Sequence, residues 1–146
     1  MSEFRKLSDD FYASPQVTPR EISEAAAMGI TLVVNNRPDG EAPDQPPGAD
    51  IEAATRAAGM DYIAIPIGSA GFSEPQVEAL QEALATAKGS VLGFCRSGTR
   101  STLLWSLARA RSGSDPETIG EAAAAAGYDV SPVRPAMDMF AARARG

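Results

Sequence analysis

Short apolar runs alternate along this chain with stretches whose apolar positions recur at helical spacing. Residues 30–35 carry Ile30, Leu32, Val33 and Val34, a run of strand length that Asn36, Arg37, Pro38, Asp39 and Gly40 then break. Residues 11–14, 62–67 and 91–94 read as three further strands, the last leading straight into Cys95. Thr18 is placed to cap a helix whose Glu21 reaches back to its start, with Pro19 in the first turn and Gly29 near the end. Residues 41–48 hold three prolines and read as a loop, and residues 51–58 have helical composition up to Gly59. Ser73 caps a helix that opens with Glu74 and Pro75, along which Val77, Leu80 and Leu84 recur until Gly89. Leu103, Leu104, Leu107 and Ala108 mark one face of a helix that begins near Arg100 and closes at Gly113. Two cap-then-proline starts, Asp115 with Pro116 and Ser131 with Pro132, predict helices over residues 116–126 and 132–143.

Strands separated by helices of this length require crossover connections, which favour parallel pairing. The predicted fold class is α/β: a three-layer sandwich with a mainly parallel four- or five-stranded sheet and helices on both faces, built as a single domain over residues 1–146. In such sheets ligands bind beyond the carboxyl ends of the strands, which is where residues 91–94 deliver Cys95.

Composition narrows the chemistry. A length of 146 residues with 44% hydrophobic content suits one core, and an aromatic share of 6% makes that core aliphatic. A net charge of -6 argues against nucleic acid or an anionic membrane as partner. No apolar run approaches the ~20 residues of a membrane helix, and residues 1–10 lack the apolar stretch of a secretory signal. The single cysteine has no intramolecular disulfide partner, so a reducing, cytoplasmic compartment is expected. The absence of histidine removes Ser-His and Cys-His catalysis together with the commonest metal ligand, so neither a metal nor a cofactor is expected.

What remains is the run Cys95-Arg96-Ser97-Gly98-Thr99-Arg100-Ser101, lying between an apolar strand and a helix start. A loop wrapped over a helix N-terminus turns backbone N–H groups inward as a nest for an anion. Such a nest, with guanidinium charge beside it, favours a cysteine thiolate and makes Cys95 the candidate nucleophile. Gly98 supplies the positive backbone angle a nest requires. Arg100 offers a planar fork for two oxygens of an oxyanion. Arg96 adds positive potential from the solvent side, and Ser97, Thr99 and Ser101 complete the anion-binding loop. A lone cysteine after an apolar strand is ordinarily a packed thiol, yet two arginines, hydroxyl residues and a glycine make a poor packing motif. Gly93 and Gly98 have the spacing of a nucleotide phosphate loop, but Thr99 and Arg100 stand where lysine and serine or threonine are required.

Together with Val33-Val34-Asn35-Asn36-Arg37-Pro38-Asp39-Gly40-Glu41 and Gly59-Met60-Asp61-Tyr62-Ile63-Ala64-Ile65-Pro66, this loop resembles the phosphatase-like domain of beta-lactamase hydrolase-like proteins, in order over residues 7–128. That family is similar in fold to dual-specificity and tyrosine phosphatases, which implies a central parallel sheet of four or five strands. On the reaction the resemblance divides. Phosphatases of that fold place five residues between cysteine and arginine, whereas four separate Cys95 from Arg100, as in rhodanese sulfurtransferases. The glycine-histidine-isoleucine-proline segment of rhodaneses is missing. Phe94 stands where phosphatases carry histidine, and residues 68–74 hold no aspartate to protonate a leaving alkoxide. Glu74, the only carboxylate there, reads as a first-turn helix residue. Sulfur transfer needs no comparable acid, because sulfite or a thiolate leaves as a stable anion.

These residues predict a rhodanese-like sulfurtransferase on a phosphatase-like fold. A Cys95 persulfide would carry sulfane sulfur from thiosulfate or a low-molecular-weight persulfide to a thiol or cyanide. The alternative is a cysteine-dependent phosphatase acting through a Cys95 phosphocysteine, and a second alternative is a non-catalytic anion-binding or redox-sensing module. Cys95 and Arg100 are the candidate catalytic pair. Arg37 and Asp39, beyond the strand of residues 30–35, are candidate mouth residues within a segment of turn composition. Trp105 and Phe72 read as packing residues. The expected partner is a small anionic sulfur donor or a phosphate ester. The resemblance adds a separately encoded persulfide dioxygenase, since related domains occur fused to one.

Overall fold

In the computed structural model, which describes residues 3–146, five strands form one sheet with helices on both sides. The first two residues of the segment 1–10 lie outside the described residues. In chain order the elements are β1 (Arg5–Ser8), β2 (Phe11–Ser14), α1 (Pro19–Ala27), β3 (Ile30–Asn35), α2 (Gly48–Ala57), β4 (Asp61–Ala64), α3 (Glu74–Thr86), β5 (Ser90–Phe94), α4 (Thr99–Arg111), α5 (Pro116–Ala125) and α6 (Arg134–Arg145), with a 3-10 turn over Ser131–Val133 before α6. The strand order is β1-β2-β5-β3-β4, so β5 is central. It pairs in parallel with β2 and β3, β4 continues the parallel set, and only the β1–β2 pairing is antiparallel. This is the α/β sandwich that the alternating pattern predicts.

Side chains along β3 sort by the strand period of two. Val33 faces one core with Ile22 and Ala25 of α1, Ile51 of α2, and Leu92 and Phe94 of β5. Leu32 and Val34 face the other core with Phe11, Leu80 of α3, Val91, Leu104 and Leu107 of α4, and Met137 of α6. Each fully buried leucine or isoleucine contributes about 1.5–3 kcal/mol relative to exposure, which makes a shifted register of β3 costly. Two of the predicted helix starts are closed reciprocally, whereas Asp115 makes no capping bond to the backbone of α5. Thr18 and Glu21 form a capping box on α1, and Ser73 pairs with Gln76 in the same way on α3.

Four features differ from the sequence expectation. β1 is an additional edge strand, too short and too polar to stand out by alternation. β4 stops at Ala64 rather than reaching residue 67, because Pro66 cannot donate to the ladder. The chain nevertheless keeps following β3, with Ile65 and Ile67 N–H donating to the carbonyls of Asn35 and Asn36, each at 2.9 Å. The helix expected over 132–143 divides into the 3-10 turn and α6, whose first turn contains Pro135. Finally, α4 is buried on most sides rather than along one face. Its small residues allow close packing, and the hydroxyls of Thr102 and Ser106 return to the carbonyls of Gly98 and Thr102, both at 2.9 Å. Among the described residues no helix is long and apolar enough to cross a membrane.

Candidate active site

Because β5 is the middle strand, its last residue hands Cys95 to the centre of the sheet's carboxyl edge. The flanking strands hold it there: Cys95 N–H donates to the Ser14 carbonyl at 3.3 Å, and Asn36 N–H donates to the Phe94 carbonyl at 2.8 Å. The chain then curls through Gly98, which has φ 92° and precedes the first residue of α4. The curl brings Gly98 N–H to 3.0 Å from Cys95 Sγ, so a backbone donor is aimed at the buried sulfur. Ser97 and Thr99 are exposed and tied to each other, hydroxyl to hydroxyl at 3.0 Å. Arg96 is exposed to solvent. Ser101 is fully buried and donates to Asn36 Oδ1 at 2.8 Å, while the Asn36 amide donates to the Ile65 carbonyl at 2.9 Å. Ser101 is therefore a strut between α4 and the end of β3.

Arg100, in the first turn of α4, is gripped from behind. Its Nη1 donates to Glu41 Oε2 and to the Ile67 carbonyl, both at 2.7 Å, and its Nη2 donates to Glu41 Oε1 at 2.9 Å. Glu41 Oε1 also accepts from Arg37 Nε at 3.0 Å, and Arg37 Nη1 donates to Gln16 Oε1 at 3.0 Å. Hydrogen bonding to Arg100 first, then to Arg37, pulls the Glu41 carboxyl down to about 2. Arg100 is raised in turn by its hydrogen bond to Glu41, and further by its closeness to Cys95. The guanidinium is thus fixed beside the sulfur, and its Nη1–Nη2 fork, expected to face two oxygens of an oxyanion, is taken by Glu41 in this structure.

Arg37 enters this cluster as the second anchor of Glu41. Asp39 does not: its carboxylate accepts the Gly48 N–H at 2.8 Å and closes the loop ahead of α2. Glu74 stands in the first turn of α3 and is bound by Arg111 at 3.2 Å and Arg143 at 2.8 Å, away from the loop. Trp105 is buried and stacks on Phe11, with ring centroids 6.2 Å apart. Glu41, Gln16 and Asn36 were not singled out by sequence pattern as site residues. Glu41 sits at the head of a proline-rich loop, and nothing local marks it as the partner of an arginine so distant in the chain.

A buried cysteine delivered by the central strand of such a sheet, in a loop that curls over a helix start, with an arginine in the following helix turn, is the arrangement of a phosphatase-like domain. The chain belongs to the family of the beta-lactamase hydrolase-like protein, phosphatase-like domain, whose model matches residues 3–112. The beta-lactamase hydrolase-like protein of Xylella fastidiosa is 38% identical over 101 residues, covering 69% of this chain and 23% of that protein. The chain therefore spans about a quarter of the length of the curated relatives it matches. The crystal structure of a candidate phosphatase from Neisseria meningitidis superposes with a TM-score of 0.82 at 32% identity, covering 96% of this chain and 99% of that one. Kinase associated phosphatase, in a form whose catalytic-site cysteine is replaced by serine, aligns with a TM-score of 0.73 over 100% of this chain and 96% of that one; at 15% identity this likeness is one of fold.

These findings overturn the sulfurtransferase expected from the spacing of Cys95 and Arg100, since family and solved neighbours alike are phosphatase-like. The physical reason lies in what the spacing measures. Four intervening residues set the length of the loop, and here it closes through the positive φ of Gly98, which brings one N–H to the sulfur. Arg100 still takes a fixed position beside the sulfur, because Glu41 and the Ile67 carbonyl set it. Loop length alone does not select sulfur over phosphorus.

Proposed function

We propose that this chain is a cysteine-dependent phosphatase acting on phosphate monoesters. The Cys95 thiolate attacks phosphorus, forming the S–P bond as the ester P–O bond breaks, and the leaving oxygen takes its proton from water. A second water then attacks phosphorus, the S–P bond breaks, and inorganic phosphate leaves with the thiolate restored. Gly98 N–H and the Arg100 guanidinium supply the positive field for sulfur and the equatorial oxygens. The observation that carries this reading is Gly98 N–H at 3.0 Å from Cys95 Sγ in a phosphatase-like chain whose arginine is already locked beside that sulfur.

Residues 68–74 contain no aspartate, and their one carboxylate is held by two arginines. A leaving group that needs no protonation suits this site best, so aryl phosphates should turn over well ahead of alkyl phosphates. The test is hydrolysis of para-nitrophenyl phosphate by the purified chain and by Cys95→Ser. The expected result is turnover that falls more than about a thousandfold in the variant. Equal rates in the two proteins would overturn the proposal.

A further inference from the structure

Three consecutive carbonyls of the Cys95 loop are anchored by three different parts of the fold. The Arg96 carbonyl accepts from Gln16 N–H at 3.3 Å, and the Ser97 carbonyl accepts from the Tyr128 hydroxyl at 3.4 Å. The Gly98 carbonyl accepts from Thr102 N–H at 3.0 Å and from the Thr102 hydroxyl at 2.9 Å. In a trans peptide the C=O and the following N–H lie in one plane and point in opposite directions. No peptide bond among the described residues is cis. Anchoring the Ser97 carbonyl on the outside of the loop therefore turns the Gly98 N–H towards the inside, while the Thr99 N–H donates to Ser97 Oγ at 3.4 Å.

The middle peptide is the one that reaches the sulfur. Its oxygen, on Ser97, meets Tyr128, and its N–H, on Gly98, lies 3.0 Å from Cys95 Sγ. The phenol also packs directly on this peptide: a Cβ built on Gly98 would fall 2.2 Å from Tyr128 Oη and 3.1 Å from Cζ. Tyr128 is itself braced. Its N–H donates to the Ala123 carbonyl at 2.9 Å, and the Arg5 guanidinium sits 5.2 Å from the ring centroid. Arg5 is pinned in turn to the Ala126 carbonyl at 3.1 Å. Tyr128 lies beyond residues 3–112, the stretch matched by the family model.

We propose that Tyr128 is a positioning residue of the active site: by donating to the Ser97 carbonyl, its hydroxyl holds and polarises the 97–98 peptide so that Gly98 N–H stays aimed at Cys95 Sγ. Burial raises Tyr128 above its ordinary 10.0, so the phenol remains a donor through the neutral range. The charged group facing Cys95 from α4 is Arg100, with Glu41 behind it, while β2 and β3 place the uncharged Ser14 and Asn36 beside it. Tyr128 acts on the remaining side, through the peptide. Its catalytic consequence rests on the phosphatase reading, but its effect on the sulfur does not.

The test is Tyr128→Phe, which keeps the ring and removes the hydroxyl. Because Cys95 is the only cysteine, the ultraviolet absorbance of its thiolate can be followed against pH, with Cys95→Ser as blank. On the acid side of the transition the thiolate fraction is expected to fall about three- to tenfold in the variant, the range of a single net hydrogen bond. An unmoved transition would overturn the proposal, and a lowered melting temperature without such movement would assign Tyr128 to packing alone. A moved transition in a chain without phosphatase turnover would uphold Tyr128 while removing the proposed reaction.

Discussion

Glu41 offers the sharpest test of how the site is held. Its carboxylate receives two bonds from Arg100, at 2.7 and 2.9 Å, and one from Arg37 at 3.0 Å. Glu41→Gln preserves volume while removing the charge, and the new amide nitrogen opposes a guanidinium where an oxygen stood. The drop of the carboxyl from 4.5 to about 2 corresponds to about 3 kcal/mol at about 1.4 kcal/mol per pH unit. The side chain is 27% exposed, so solvent screening brings the expected loss of stability down to roughly 1–2 kcal/mol. A depressed carboxylate stabilises fully above its unfolded value and loses that contribution as pH falls through its folded value. The stability gap between the two proteins, read by urea unfolding, should therefore be full near neutral pH and shrink from 4.5 towards 2. In turnover of an aryl phosphate, a loosened Arg100 is expected to lower kcat/KM roughly tenfold, with inorganic phosphate inhibiting correspondingly less well. Tighter inhibition by phosphate in Glu41→Gln would refute the reasoning, since the carboxylate would then be a competitor for Arg100 rather than its holder.

Gly98→Ala forces a non-glycine residue into φ 92° and drives a methyl against Tyr128 Oη; thermal unfolding should show a loss of about 1–3 kcal/mol, with phosphatase turnover falling at least about tenfold. Asn36→Ala strips partners from the buried Ser101 hydroxyl and from the Ile65 carbonyl, and chemical denaturation should register a loss of about 2–4 kcal/mol. A loss below about half a kcal/mol would show that water replaces the amide without penalty.

The sequence by itself determined the layering and the strand that leads into the Cys95 loop. Alternation of strand-length runs with capped helices requires a mainly parallel sheet, and local chemistry wrote the starts of α1 and α3 directly into Thr18, Glu21, Ser73 and Gln76. A cysteine following the apolar run of β5, then a glycine, an arginine and a helix start, makes an anion loop the expected reading. What the sequence left open were the contacts between segments far apart in the chain. Glu41 meets Arg100 only because β3 and β5 lie side by side, so that the loops leaving their carboxyl ends converge. Tyr128 reaches Ser97 only because α5 packs beside α4 and ends near β1 and Arg5. Asp39, close to Glu41 in sequence and of the same charge, is turned instead to the start of α2. Patterns of period two or 3.6 encode which face of an element is buried, whereas the pairing of charges across loops depends on how those elements are brought together. The loop's residue spacing suggested sulfur chemistry for the same reason: a count along the chain describes a ring, while the tertiary structure fixes what surrounds it.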